Sequence, residues 1–291
     1  MEHIKTHFKT IFEHNEAVIS LAAIENPVPY NPMIDGLDLL VLVISKEIEP
    51  VRGTEHVQIG GDRIQIRSVT PAMLEQWTTG CENRSIIQWL VRGEILLDRD
   101  NYLLNLRESL LAFPSPMRGQ KQLVEFSHFI RSYQQAKQDL QDNNLLDAYS
   151  NVLTALHHWA HIAFIEEGVH PELTVWRQMR RFNPGIYKLY EELTSSPESL
   201  EKRVQLVLLA CEFSVMNKMK SSCGLLFSIL ESREEPWSVM ELQNHPCLMD
   251  LHMDLSLLLQ KLVKRGYIRE VAYMTLLGDA EAIELRYHYV S

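Results

Sequence analysis

Two carboxylates, Asp35 and Asp38, stand three residues apart where residues 34–44 read Ile-Asp-Gly-Leu-Asp-Leu-Leu-Val-Leu-Val-Ile. The apolar run after them has the length and β-branched content of a buried strand. Two acids at the mouth of a central strand are a way to hold a divalent cation such as Mg²⁺, because hard cations want oxygen ligands in a fixed, partly dry frame. Such a site would serve phosphoryl or nucleotidyl chemistry, with Asp35 and Asp38 as both the metal ligands and the catalytic pair. The spacing works against it. On a strand, residues i and i+2 share a face while i and i+3 do not. A metal clamp reads Asp-x-Asp, and here Gly36 occupies the place of the first ligand. A bulge at Gly36 would swing Asp35 back onto the productive face. Without one, Asp35 caps the turn entering the strand and Asp38 is an exposed acid at the rim.

Phosphate chemistry also needs cations, and Arg67, Arg177 and Arg181 are the candidates for gripping a phosphate through paired guanidinium contacts. Arg67 lies on the strand expected beside the Asp-bearing one; Arg177 and Arg181, with Arg180 and Lys188, follow Pro171 in helical sequence. His157 and His161 form an i, i+4 pair suited to a transition metal, yet no third ligand shares their face, and packing or hydrogen bonding is the plainer expectation. Trp159 and Trp176 read as core rather than as base-stacking platforms.

The elements that must position these residues change character along the chain. In the first third, residues 3–14 read as an amphipathic helix and 17–24 as a strand, followed by a loop with three prolines. The strand of residues 37–45 comes next, then a hairpin about Gly60-Gly61, where polar and apolar residues alternate on both sides. This sheet is expected to be antiparallel. Thr70-Pro71 opens a helix, residues 84–92 give another, and 95–100 a last edge strand. Beyond residue 101 the period is helical, with helices at 119–142, 145–168, 171–182, 184–194 and 199–222. The tail reads as a short helix at Trp237, an apolar helix over 253–266, and a two-stranded ribbon over 267–276 and 283–289 turning at Gly278-Asp279: a helix-helix-ribbon pattern of winged-helix type.

Composition sets the outer bounds. The 291 residues are 46% hydrophobic with a net charge of −10, which suits a sizeable core and disfavours indiscriminate binding to nucleic acid or anionic membrane. No apolar stretch approaches the roughly 20 residues of a membrane span, and the start has no signal-like architecture, so a cytoplasmic location is expected. Cys81, Cys211, Cys223 and Cys247 form no Cys-x-x-Cys pair and are expected to be reduced thiols. Residues 235–291 carry five Lys or Arg against eight Asp or Glu, net −3, which weakens a DNA-binding reading and favours a homodimer or protein partner on the tail.

The order of strand, proline loop, Asp-bearing strand, partner strand and helical domain resembles kanamycin-nucleotidyltransferase-like proteins of the polymerase-beta superfamily. More closely, the run Ala155-Leu-His-His-Trp-Ala-His-Ile-Ala-Phe-Ile-Glu-Glu-Gly-Val-His-Pro-Glu-Leu-Thr-Val-Trp-Arg-Gln, continuing to Tyr187-Lys-Leu-Tyr-Glu-Glu-Leu, is similar to a bacterial family described as nucleotidyltransferase-like. The Asp35-x-x-Asp38 segment and the tail after Trp237 resemble it too, so the likeness covers nearly the whole chain. It implies an α+β protein: a nucleotidyltransferase-type antiparallel or mixed sheet domain over residues 1–115, a helical domain over 116–232, and a winged-helix-like (helix-turn-helix) domain over 233–291. It implies no substrate.

An active superfamily member would carry Gly-Ser, then Asp-x-Asp, then a third acid on the next strand. Here Ala22-Ala23-Ile24-Glu25-Asn26 follows the first strand, and Gln65, flanked by Arg63 and Arg67, takes the third acid's place. The expectation is therefore a catalytically degenerate protein that binds a nucleotide or protein partner between its sheet and helical domains. The alternatives are an active Mg²⁺-dependent enzyme modifying a small-molecule or protein hydroxyl, with Asp35 and Asp38 on the metal and Arg67, Arg177 or Arg181 on phosphate, and a nucleotide-sensing regulator whose tail contacts DNA.

Overall fold

The computed structural model describes residues 1–26, 34, 36–47, 53–79, 85–172, 174–274 and 283–290. They fall into two compact units, 1–114 and 115–291. The first unit contains α1 (Glu2–Glu13), β1 (Val18–Glu25), β2 (Leu39–Ser45), β3 (Thr54–Ile59), β4 (Asp62–Val69), α2 (Pro71–Thr79), α3 (Ser85–Arg92), β5 (Glu94–Asp98) and α4 (Tyr102–Ala112). Its sheet runs β3-β4-β2-β1-β5.

All neighbours in this sheet are antiparallel except β2 and β4, which run parallel with Leu39 opposite Ile64 and Leu42 opposite Arg67. The sheet is therefore mixed, within the antiparallel or mixed sheet expected, and the β3/β4 hairpin is antiparallel. The hairpin does form about Gly60, whose φ of +62° only glycine adopts without strain. But β3 lies at the edge and β4 inside, so β4 returns beside β2 in the same direction. Every residue of β2 is buried, as a strand flanked on both sides and covered on both faces must be. Leu39, Val41 and Val43 share one core with Ile4 and Phe8 of α1, while Leu40, Leu42 and Ile44 are buried on the other face. Lys5, also buried, is held by Glu2, Glu25 and Glu94 at 2.5–2.7 Å.

The second unit is helical: α5 (Ser115–Gln141), α6 (Leu145–Glu166), α7 (Val175–Phe182), α8 (Pro184–Ser195), α9 (Leu200–Asn217), α10 (Met219–Ser222), α11 (Gly224–Glu231), α12 (Val239–Gln243) and α13 (Leu255–Lys264), then the antiparallel ribbon β6 (Ile268–Met274) and β7 (Ile283–Tyr289). The turn expected at Gly278-Asp279 lies outside the described residues. Helices α5 and α6, joined by three residues, pack along each other through Phe126, Phe129, Ile130, Val152, Leu156 and Trp159. One apolar core continues from them through α9 and α11 into Leu258, Leu259 and Leu262 of α13. Local signals fix the ends of the tail helices. Ser238 and Glu241 close a reciprocal capping box on α12, and Asp254 caps α13 through the Leu257 amide. Asp254 is further tied to α5, its amide donating to Ser127 at 2.9 Å and its carboxylate pairing with Arg131. Trp237 bridges to Tyr287 of β7 through two backbone hydrogen bonds of 2.8 Å.

Candidate functional site

The residues just before Asp38 form a turn, not the start of the strand. The Leu37 amide donates to the Ile34 carbonyl at 3.0 Å, and Gly36 has φ +75°. Positive φ at the third position of such a turn demands glycine. Gly36 therefore stands where it does for backbone reasons, and the two-residue alternation of a strand does not govern Asp38, since β2 begins only at Leu39. Asp35 itself lies outside the described residues.

Asp38 closes this turn against β4. Its amide donates to the Arg63 carbonyl at 2.9 Å, its Oδ2 accepts from the Arg63 amide at 2.8 Å, and the Arg63 guanidinium Nε lies 3.6 Å from the same oxygen. Arg63 also donates to the Gly36 carbonyl at 3.2 Å. From the other side Asn26 binds the Leu37 and Asp38 carbonyls at 2.9 and 3.0 Å. A carboxylate so placed pins the first residues of the parallel β2/β4 pair and already faces a fixed cation.

The rest of the strand pair departs from a phosphate-transfer site as well. Gln65, buried, is 3.2 Å from the His56 ring on β3. Arg67 pairs with Leu42, four residues along the strand from Asp38, or about 13 Å at the strand rise. Its guanidinium sits over Trp77 of α2 at 4.5 Å and near Trp89 of α3 at 5.6 Å, a cation-π sandwich that fastens two helices to this face of the sheet. Arg67 and Asp38 thus stand at different places on one pair of strands.

In the helical unit Arg177 and Arg181 lie exposed on α7, whose buried side is Val175 and Met179. Arg180 lies over Tyr187 of α8 at 5.8 Å. Trp176 stacks on Tyr190 at 4.1 Å and meets His157 edge-on. The histidines are organised by a residue the sequence reading missed, Glu125 of α5. Its two oxygens accept from Nδ1 of His158 and of His161, each at 2.6 Å, in the α5/α6 core. Burial alone would raise the Glu125 carboxyl, but the two imidazole hydrogen bonds outweigh it and hold it below the ordinary range. His128 stacks on His158, and His157 lies 4.6 Å from His161. The signal that could have exposed Glu125 is a lone acid inside the Leu123, Phe126, Phe129, Ile130 stripe, because an acid on a core face needs a partner.

Asp38 is engaged by Arg63, and Nδ1 of His158 and of His161 both face Glu125. Among the described residues no group of three His, Cys, Asp or Glu is placed to hold an ion. No helix among them is long and apolar enough to cross a membrane.

Comparison with known proteins agrees with this architecture. A family model described as nucleotidyltransferase-like matches residues 1–118, one described as a YgxA-like substrate binding domain matches 119–218, and one described as a helix-turn-helix domain matches 225–277. The crystal structure of a nucleotidyltransferase-like protein from Exiguobacterium sibiricum 255-15 superposes with a TM-score of 0.86 at 30% identity, covering 99% of this chain and 100% of that one. The Bacillus subtilis (strain 168) protein YgxA is 35% identical over 250 residues, 86% of this chain and 85% of its own. At that identity over most of both chains, the protein belongs to the bacterial nucleotidyltransferase-like family that includes YgxA, with nucleotidyltransferase-like, substrate-binding and helix-turn-helix domains in that order.

Proposed function

We propose that the chain has given up nucleotidyl transfer and works by binding, its ligand a nucleotide or a protein partner. The observation that carries this reading is the Asp38 carboxylate, which serves the Arg63 amide and faces the Arg63 guanidinium where a catalytic acid would face a metal ion. Positioning a triphosphate for in-line transfer takes two or three anionic oxygens on the cations. Gln65 and Gly36 replace two of those acids. The match of residues 119–218 to a substrate-binding domain supports retained recognition without chemistry. The test is the purified chain with ATP, assayed for pyrophosphate release and titrated calorimetrically with Mg²⁺ and with EDTA. No Mg²⁺-dependent product is expected, and ATP affinity should change less than about twofold on removing the metal. Steady Mg²⁺-dependent turnover would refute the reading.

A second reading, a ligand-sensing regulator that contacts DNA, is favoured by the tail. The Trp237 to Tyr287 bridge adds a third strand segment to the β6/β7 ribbon, which follows α11, α12 and α13 in the chain, and this supports a winged-helix reading of the helix-turn-helix segment. Ser256, Gln260 and Lys264 make an exposed stripe along α13, the helix that would enter the major groove. Anisotropy of a labelled random duplex across a salt series checks it. Salt-dependent binding weakened by Lys264→Gln supports DNA contact, and a flat response refutes it.

A further inference from the structure

Within the helical unit, α5, α9 and α13 enclose a cleft of about 320 Å³ whose walls include Tyr133, Gln134 and Lys137 of α5, Glu212 of α9, and Lys261 and Arg265 at the end of α13. Its charge is unbalanced. Three cations face a single carboxylate, so the cleft carries a net positive charge on a chain whose total is −10. Glu212 is already engaged, by Lys137 at 3.4 Å and by the Tyr133 hydroxyl, and burial and this acid push the Tyr133 phenol well above its usual range. Glu212 is thus shared among Lys137, Lys261 and the Tyr133 hydroxyl, one acid among three cations. Desolvation, and then repulsion from Lys264, Arg265 and Lys137, depresses the Lys261 ammonium, the mark of like charges crowded into a partly dry space. One neutral donor joins them: Nε2 of Gln134 is buried and has no acceptor among the described residues.

We propose that this cleft is a binding site for a polyphosphate anion, either the phosphate tail of a nucleoside triphosphate or free pyrophosphate. Two ammonium groups and a guanidinium line one cleft. A multiply charged oxyanion pairs with all three cations and relieves their mutual repulsion. The volume stands at the lower end of small-ligand pockets, roughly 300–1,000 Å³, which suits a phosphate chain better than a whole nucleotide. The inference rests on reading the chain as a binding protein and names what it binds and where. It also gives binding a consequence. Lys137 belongs to the segment matched by the substrate-binding model, and Lys261 and Arg265 to the segment matched by the helix-turn-helix model. One anion between them ties α13 to α5 and α9, so occupancy is felt by the helix-turn-helix domain.

The test is calorimetric titration of the full chain with pyrophosphate, ATP and sulfate, on the wild type, the double variant Lys137→Gln/Arg265→Gln, and the control Lys202→Gln, which alters an exposed pair with Glu198 elsewhere in the unit. Lys137 and Arg265 are exposed, so circular dichroism of the double variant should match the wild type. Saturable binding of pyrophosphate or ATP, weakened about ten- to hundred-fold in the double variant and unchanged in Lys202→Gln, is expected. If pyrophosphate binds as tightly as ATP the phosphate chain alone is recognised; if ATP binds much more tightly the source is a nucleotide, and either result upholds the site. Sulfate binding as tight as pyrophosphate, no saturable binding by the wild type, or loss of duplex DNA binding alone in the double variant overturns it. ATP bound equally by wild type and double variant overturns the cleft and leaves the binding reading intact. Turnover of ATP with Mg²⁺ would overturn the binding reading, while the pyrophosphate arm still reports on the cleft.

Discussion

Asp38 and Arg63 bind each other through backbone and side chain at the start of the β2/β4 pair. A side-chain oxygen that accepts a backbone amide at 2.8 Å is a structural group, and its removal leaves that amide without its partner. Net hydrogen-bond contributions to stability run at about 1 kcal/mol. Asp38→Ala is therefore expected to lower the stability of the first unit by about that amount, whereas Asp38→Asn, which keeps an acceptor oxygen, should cost less than about half of it. Urea denaturation of the two variants measures the difference. Millimolar Mg²⁺ should leave the melting temperature of the wild type unchanged, because Asp38 has a fixed cation in place of an ion. A Mg²⁺-dependent rise that disappears in Asp38→Asn would reassign this residue to metal binding. The same restraint applies to Arg67: its stacking between Trp77 and Trp89 gives it a packing role that a free phosphate clamp would not have.

At the scale of elements, the turn over residues 34–38 decides the fate of the carboxylate motif. Gly36 holds φ +75°, a conformation that costs an L-residue about 1–2 kcal/mol. Gly36→Ala is expected to destabilise the first unit by that order, seen as a lower urea midpoint with an unchanged slope. Gly36→Asp, which rewrites the motif as Asp-x-Asp in sequence, should pay a similar strain and produce no Mg²⁺-dependent product, since the turn and not the residue type sets the directions of its neighbours. This is also where reading the sequence reached its limit. The β3/β4 hairpin, the helices α12 and α13 and the long pair α5 and α6 were legible, because each is written in contiguous residues. The parallel pairing of β2 and β4 was not, because it depends on which strand takes the edge. The start of β2 was read two residues early, since apolar Leu37 continues the pattern of the strand into the turn. Glu125 was invisible as a partner of His158 and His161 because 33 and 36 residues separate them and only the packing of α5 on α6 closes that distance. The basic cleft draws on three helices and has no contiguous signature at all.

At the scale of the whole molecule, each unit has its own core, and the larger helical one is crossed by a buried ionic group. Glu125 joins α5 to α6 within the segment matched as a substrate-binding domain. Its folded carboxyl lies below the ordinary value because the His158 and His161 hydrogen bonds overcome the effect of burial. A carboxyl whose folded pKa is depressed contributes stability that is complete above its unfolded value, about 4.3, and is lost as the pH falls toward the folded one. Removing one partner of a buried ionic cluster costs about 3 kcal/mol or more, and Glu125→Gln, which keeps one acceptor for two imidazoles, should lose much of that at neutral pH. The stability gap between wild type and Glu125→Gln, measured by urea unfolding with the helical signal in circular dichroism, is therefore expected to be widest above about pH 5 and to narrow steadily below about pH 4. A gap of constant size from pH 6 to pH 3 would mean that the Glu125 carboxyl has the same pKa folded and unfolded, and that the two histidines are held by something other than its charge. A narrowing gap would make Glu125 a source of acid sensitivity in the helical unit, and so in the fold that holds the cleft between α5, α9 and α13 together.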